Sequence, residues 1–194
     1  MKDRNADIVR YLLENSDKEL NILAIARSVK MNYKNVFDII KRLEKEKLVT
    51  LKKFGSSNKV DLNLAIHPII FEAEYARRED ILRNKNILIM LNQIKKDMES
   101  SLFILLLFGS YAKKTQTKSS DIDIMFIVPD NSLENFEKKV HQTTRLMPLP
   151  IHHMTFSESQ FLDMIKAKEF NVGKEAMKNN VILYGIENYY ELIK

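Results

Sequence analysis

The sequence contains no cysteine, and its 194 residues include only four glycines and four prolines. The first absence excludes disulfides, thiolate zinc sites and cysteine nucleophiles together, so any metal must sit on oxygen or imidazole. The scarcity of glycine and proline, beside 45% hydrophobic and 29% charged residues, excludes extended disorder and fits a helix-rich globular protein. Long apolar runs are missing too. The longest, Leu102–Phe108, has seven residues, against the roughly 20 that a membrane-spanning helix needs, so no membrane partner is expected. No apolar segment of the signal-peptide kind follows Met1, Lys2, Asp3, Arg4 and Asn5, which makes a cytoplasmic protein the expectation. The length admits one large domain or two small ones.

The net charge of +5 is unevenly spread. Residues 1–66 hold 14 Lys and Arg against 9 Asp and Glu, while residues 67–194 hold 17 against 17. Between Arg27 and Lys59 there are 10 basic and 3 acidic side chains, the footprint of a surface that faces a polyanion.

Apolar residues recur at helical spacing over Asp7–Glu14 (Ile8, Val9, Leu12, Leu13) and again over Leu20–Val29 (Leu20, Leu23, Ala24, Ala26). Asn32 stands as an N-cap before a third helix running to about Lys47, with Val36, Phe37, Ile39, Ile40 and Leu43 as its buried stripe. Leu48–Phe54, a turn at Gly55, Ser56, Ser57 and Asn58, and the alternating Val60, Leu62 and Leu64 then predict a β-hairpin. Three short helices and a hairpin within about residues 4–65 resemble the winged helix-turn-helix family. The run Ile39–Val49 is similar to the helix-to-wing junction of many prokaryotic regulators. The resemblance implies that Asn32, Tyr33, Lys34, Asn35, Asp38 and Lys41 face the major groove of double-stranded DNA, with Lys52, Lys53 and Lys59 flanking the wing and meeting phosphates. A merely solvated basic face on a protein-contact module is the alternative.

From Pro68 to about Met98 the pattern is helical again, with Ile87, Leu88, Met90, Leu91 and Ile94 on its later part. The expected organisation is a winged helix over 1–66, a helical connector over 67–85 and a second domain over 86–194. Leu102–Phe108, stopped by Gly109, predicts a central strand, and Ile122–Val128, stopped by Pro129, a second. In a strand, residues i and i+2 share a face, so Asp121 and Asp123 project together while Ile122 and Ile124 face the core. Such a pair calls for a compensating cation, and its hard oxygens suit Mg²⁺ or Mn²⁺. The Gly109-Ser110 turn offers backbone N–H groups and a hydroxyl to phosphate with little steric bulk. Together these residues suit a metal-bound nucleoside triphosphate.

Gly109-Ser110, ten residues, then Asp121-X-Asp123 reproduces the Gly-Ser-X10-Asp-X-Asp signature. The segment thereby resembles the nucleotidyltransferase superfamily that includes DNA polymerase beta, and specifically its minimal nucleotidyltransferase group. The fold this implies is α+β, an N-terminal winged helix-turn-helix plus a C-terminal mixed sheet with flanking helices. The resemblance assigns Gly109, Ser110 and Ser120 to nucleotide binding, with Lys113 or Lys114 set against phosphate charge, and Asp121 and Asp123 to the metal ions and catalysis, with Mg²⁺ or Mn²⁺ as cofactor and ATP or another NTP as substrate. Many relatives carry Arg-Gly where this chain has Lys113-Lys114, which implies a stiffer turn here.

Active relatives draw a third carboxylate from a later strand. The strand expected here, Leu149–Thr155, contains no acid. His152 and His153 stand in its place; a histidine, with an unperturbed pKa of about 6.5, suits the role of base but is a poor Mg²⁺ ligand. Packing at the sheet edge is the alternative role for either histidine, and Asp130 and Glu158 are other substitutes. Beyond it, Glu158–Ala167 and Gly173–Asn179 read as helices and Val181–Tyr184 as a last strand. Tyr184, Tyr189 and Tyr190 are of the kind that stack on a base or a partner, though such residues more commonly lie in a core or at its rim. The implied function is transfer of a nucleoside monophosphate, AMP from ATP, to a hydroxyl of a macromolecule. The resemblance to minimal nucleotidyltransferase antitoxins adds a tyrosine of a HEPN-class toxin as acceptor, an operon regulated through the winged helix, and a homodimer as a further form of assembly. A DNA-binding regulator whose second domain senses nucleotide or dimerises, and an enzyme modifying nucleic-acid ends, are the alternatives.

Overall fold

The helical spacing of the first third does produce three helices, α1 (Arg4–Glu14), α2 (Ile22–Ser28) and α3 (Tyr33–Lys45), in the computed structural model, which describes residues 4–55, 57–99 and 101–194. Met1, Lys2 and Asp3 lie outside the described residues, as do Ser56 of the expected hairpin turn and Ser100 ahead of the expected central strand. Asparagine side chains start two of the helices. Asn21 Oδ1 accepts the Ala24 N–H and Asn32 Oδ1 accepts the Asn35 N–H, each at 2.8 Å, satisfying donors that a first turn leaves unpaired. The buried stripe of α3 is Val36, Ile40 and Leu43. Phe37, expected in that stripe, is 37% exposed, because 100° per residue carries it a quarter-turn round from Val36. There it stacks on Tyr33, ring centroids 6.2 Å apart.

Strands β1 (Val49–Phe54) and β2 (Ser57–Leu62) pair antiparallel, with Lys52 opposite Lys59 and Phe54 opposite Ser57. The turn is therefore shorter than the sequence pattern predicts, since Ser57 and Asn58 are already paired. Leu20 adds a stub to this ribbon by accepting the Val60 N–H at 2.7 Å, so α2 begins two residues later than its apolar pattern does. Three helices closed by a two-stranded wing make this a winged-helix arrangement.

Helix α4 (Pro68–Ile81) contains the division between two compact units, one within Met1–Ala76 and the other Arg77–Ile193. The second unit runs α5 (Lys85–Asp97), β3 (Ile104–Leu107), the single turn α6 (Gly109–Ala112), β4 (Ile122–Val128), α7 (Leu133–Arg145), β5 (Ile151–Ser157), α8 (Glu158–Lys166), α9 (Val172–Lys178), β6 (Val181–Tyr184) and α10 (Ile186–Leu192). Its sheet has the order β5-β4-β3-β6. β4 and β5 are parallel, joined through α7, and the other pairs are antiparallel. One face carries Leu105, Leu107, Ile122, Ile124, Phe126 and Val128, which form a single core with Ile87, Met90, Leu91 and Ile94 of α5 and Phe136 and Val140 of α7.

Alternation puts Asp123, Met125 and Ile127 on the opposite face. Helix α8 packs there against β4 and β5, with Phe161 fully buried and 6.3 Å from the Tyr189 ring. Tyr189 and Tyr190 are each 2% exposed, which withdraws them from any base-stacking role, and Tyr184 stacks on Phe103 at 4.5 Å. β5 starts two residues later than its apolar pattern suggests, and Leu102, expected in the central strand, is exposed ahead of it.

Candidate active site

The site is assembled where β3 hands the chain to α6 beside the start of β4. Phe108 N–H donates to the Asp123 carbonyl at 3.0 Å as the last rung between the two strands. Gly109 then takes φ +65°, a left-handed conformation open to glycine at no steric cost. A Cβ at this position would collide with Asp123 Oδ2 and stand 3.0 Å from its Cγ, so the bare backbone of Gly109 lies directly against the carboxylate. Ser110, half-buried, follows in α6, and its carbonyl accepts the Thr115 N–H at 2.9 Å. Lys114 closes the turn at φ +58°. This lysine adopts the left-handed conformation at a cost of roughly 1–2 kcal/mol.

Across the parallel pair, Asp123 is in register with His152. His152 Nδ1 lies 3.2 Å from Asp123 Oδ1. Asp121 is exposed one residue before β4. His153 belongs to the other face, half-buried, its ring edge-on to His141 of α7 at 6.2 Å. Burial pushes its pKa below the ordinary histidine value, and the nearby His141 and His152 add to this against an opposing Glu137. Of the two histidines, therefore, only His152 shares a face with Asp123.

Asp130 and Glu158 are placed at the far end of the sheet, where Val128 is in register with Ser157, roughly 20 Å of strand from Asp121. Asp130 instead accepts the Ser159 N–H at 3.1 Å and its hydroxyl at 2.8 Å. Hydrogen bonds from Ser157 and Ser159 hold its carboxyl below the usual range.

Two further nucleotide candidates are engaged with the protein itself. Lys113 Nζ pairs with Glu175 of α9 at 2.9 Å. Ser120 Oγ accepts the Thr117 N–H at 2.9 Å within its own loop. Glu175 escaped the sequence pattern because it stands 62 residues from Lys113 and belongs to no local motif.

The donor set fits a hard divalent cation that arrives with its ligand. Asp121 and Asp123 would supply carboxylate oxygens, and the missing side chain of Gly109 lets the Asp123 carboxylate lie against the phosphate turn, in the space that a Cβ would fill. Among the described residues no group of three or more His, Asp or Glu side chains forms a self-contained metal cage. Mg²⁺ commonly binds through one or two carboxylates together with substrate phosphates, which is the number available here.

Residues 90–188, half of the chain, match the family described as Polymerase beta, Nucleotidyltransferase. The chain belongs to the polymerase beta nucleotidyltransferase family. The matched span contains the turn, both aspartates and His152. No curated protein matches the chain. Among solved structures, MepR, a transcription regulator of the Staphylococcus aureus multidrug efflux pump MepA, is similar over 39% of this chain and 54% of that one, with 17% identity and a TM-score of 0.33. The chain thus spans about half the length of that structure.

Outside the nucleotidyltransferase domain, the six residues expected in the groove, Asn32, Tyr33, Lys34, Asn35, Asp38 and Lys41, are all exposed, from the N-cap of α3 to its middle. Asn32 Oδ1 is occupied by the cap, and Lys41 pairs with Glu44 at 2.7 Å. On the wing, Lys52 and Lys59 converge on Asp61 at 3.1 Å each, while Lys53 is exposed. Burial alone raises the Asp61 carboxyl, but the two ammonium groups outweigh it and hold it below the ordinary range.

Proposed function

We propose that the protein transfers a nucleoside monophosphate, AMP from ATP, to a hydroxyl of a macromolecule in a metal-dependent reaction, and that its winged helix binds double-stranded DNA. The observation that carries the proposal is the contact of the Gly109 backbone with the Asp123 carboxylate, beside Ser110 and opposite His152. Asp121 and Asp123 hold Mg²⁺ or Mn²⁺ together with the phosphates; the ion supplies positive charge against the charge that builds up on them. Gly109 and Ser110 orient the triphosphate through backbone N–H groups and the hydroxyl. The acceptor oxygen forms a bond to the α-phosphorus, the α–β bridging P–O bond breaks, and pyrophosphate leaves. His152, its Nδ1 turned to Asp123, presents Nε2 to take the acceptor's proton.

Within the family we place the protein in the minimal nucleotidyltransferase group, with a tyrosine of a HEPN-class toxin as acceptor and regulation of its own operon through the winged helix. The exposed residues at the start of α3 and the basic excess between Arg27 and Lys59 support the DNA-binding half. One observation favours a nucleotide-sensing regulator instead: the residue of β5 in register with Asp123 is a histidine, where active relatives are expected to place a third carboxylate. ATP labelled at the α-phosphate, incubated with Mg²⁺, the protein and candidate acceptors, separates the two. Transfer of label that Asp121→Ala with Asp123→Ala abolishes supports the enzyme. Metal-dependent ATP binding with no label on any protein or nucleic-acid end supports the sensor.

A further inference from the structure

We propose that Phe170 is the nucleobase platform of this site, an aromatic face on which the base of the bound nucleoside triphosphate stacks; the proposal rests on the nucleotide-binding reading of the Gly109–Asp123 corner.

The topology carries Phe170 to that corner. Helix α8 starts at the far end of β5, fixed by a capping box between Ser157 and Gln160. It packs against β4 and β5 on the face that bears Asp123. Nine residues of helix rise about 13 Å, and the five residues of β5 from Ser157 back to His152 span about 16 Å. The end of α8 therefore returns nearly to the level of His152 and Asp123. From there residues 167–171 lead into α9, whose Glu175 holds Lys113 at 2.9 Å, immediately after α6. The segment containing Phe170 thus bridges the His152 side of the site and its phosphate turn.

This bridge is firmly built. Asn171 Nδ2 donates to the carbonyls of Met164 at 2.8 Å and Glu169 at 3.3 Å, while its Oδ1 accepts the Lys174 N–H at 3.1 Å. Lys174 Nζ reaches back to the Ala167 carbonyl. Gly173 lies so close to α8 that a Cβ there would stand 2.6 Å from Met164 Cβ. Yet Phe170, in the middle of this tied-down segment, is 72% exposed. A large apolar side chain is thus left in solvent on a segment that hydrogen bonds fix in place. A fixed, exposed aromatic on the segment that leads into the helix holding Lys113 is suited to stack a base, and such stacking is tolerant of base identity because every base has a π-face.

The chain contains no tryptophan, so Phe170→Trp introduces a single indole reporter at this place. Its fluorescence should change on saturation with MgATP, and not with magnesium tripolyphosphate, which lacks a base. By calorimetry, Phe170→Ala should bind MgATP roughly 5- to 150-fold more weakly, lose affinity for GTP and CTP similarly, and bind tripolyphosphate as the wild type does. If Phe170→Ala leaves ATP affinity unchanged while both ligands still bind, the platform is refuted and the phosphate site stands. If the wild type binds neither ATP nor tripolyphosphate with Mg²⁺, the nucleotide reading itself falls, and the platform with it.

Discussion

Replacing Gly109 by alanine tests the central contact of the site, because its effects on stability and on activity differ in size. Two costs fall on the fold. An alanine at φ +65° loses about 1–2 kcal/mol relative to the right-handed region, and overpacking against Asp123 adds roughly 1–3 kcal/mol. The carboxylate can relieve part of the second, since the Asp123 side chain is 27% exposed on one side. Relief requires movement: Cγ starts 3.0 Å from the new Cβ and must reach ordinary carbon contact at 3.5–4.0 Å, a displacement of about 0.5–1 Å. A misplacement of about 1 Å in a reacting constellation costs on the order of 100-fold in rate. Gly109→Ala should therefore lose about 2–4 kcal/mol in urea denaturation but about 100-fold in nucleotidyl transfer under conditions where it is folded. Gly55→Ala is the control, with φ +57° and no atom within 4 Å of the added carbon; it should lose about 1–2 kcal/mol and no activity. Full transfer activity in Gly109→Ala, with a stability loss no larger than that of Gly55→Ala, refutes the close approach of turn and carboxylate.

His152→Asn should lower turnover by roughly 10²- to 10⁴-fold and leave MgATP affinity within about twofold, as read by single-turnover labelling and calorimetry; equal turnover removes His152 from proton transfer. For His153, whose folded pKa lies below the unfolded 6.5, the unfolded chain takes up a proton that the folded one refuses. Stability should thus fall as pH drops below about 6.5, until the folded pKa is passed, and His153→Gln should flatten that slope in thermal melts. Asp61→Asn releases Lys52 and Lys59 from their shared carboxylate, so DNA should bind more tightly, with a salt slope steeper by about 1. The two lysines then repel across the hairpin, at a cost of roughly 0.2–1 kcal/mol; unchanged affinity in a salt titration counts against a wing on the phosphates.

The sheet positions around the aspartates were legible because a buried strand is written as a dense local run: Ile122–Val128 forms β4 with the bounds its residues predict. Helix α7 was not anticipated. Its inward face is Phe136, Val140, Thr143 and Thr144, two apolar residues and two threonines, which is too sparse a stripe to show helical periodicity. α10 was hidden similarly, since two of its three buried residues are tyrosines, amphipathic side chains that read equally as surface or core. Phe37 lies outside the buried stripe of α3 because the angle round the helix, and not apolar character alone, decides which residues face the core. The Gly109–Asp123 contact was readable as spacing but not as contact, because only the antiparallel register of β3 with β4 brings the turn onto the second aspartate.

The two strands that meet at Asp123 differ in how freely they can vary. β4 lies inside the sheet, buried along nearly its whole length, while β5 is an edge strand, partly exposed at every position except its last. A residue exchanged at position 152 alters the rim and leaves the packing beneath it intact, whereas a change at 109 or 123 disturbs the junction of two central strands. The corner thus joins a constrained half, to which the proposed reaction assigns phosphate and cation, to an exchangeable half, to which it assigns the acceptor's proton. A carboxylate or an imidazole can occupy the second half on the same scaffold, so under the proposed reaction the proton acceptor is open to revision by one substitution at the sheet's margin, without rebuilding the protein.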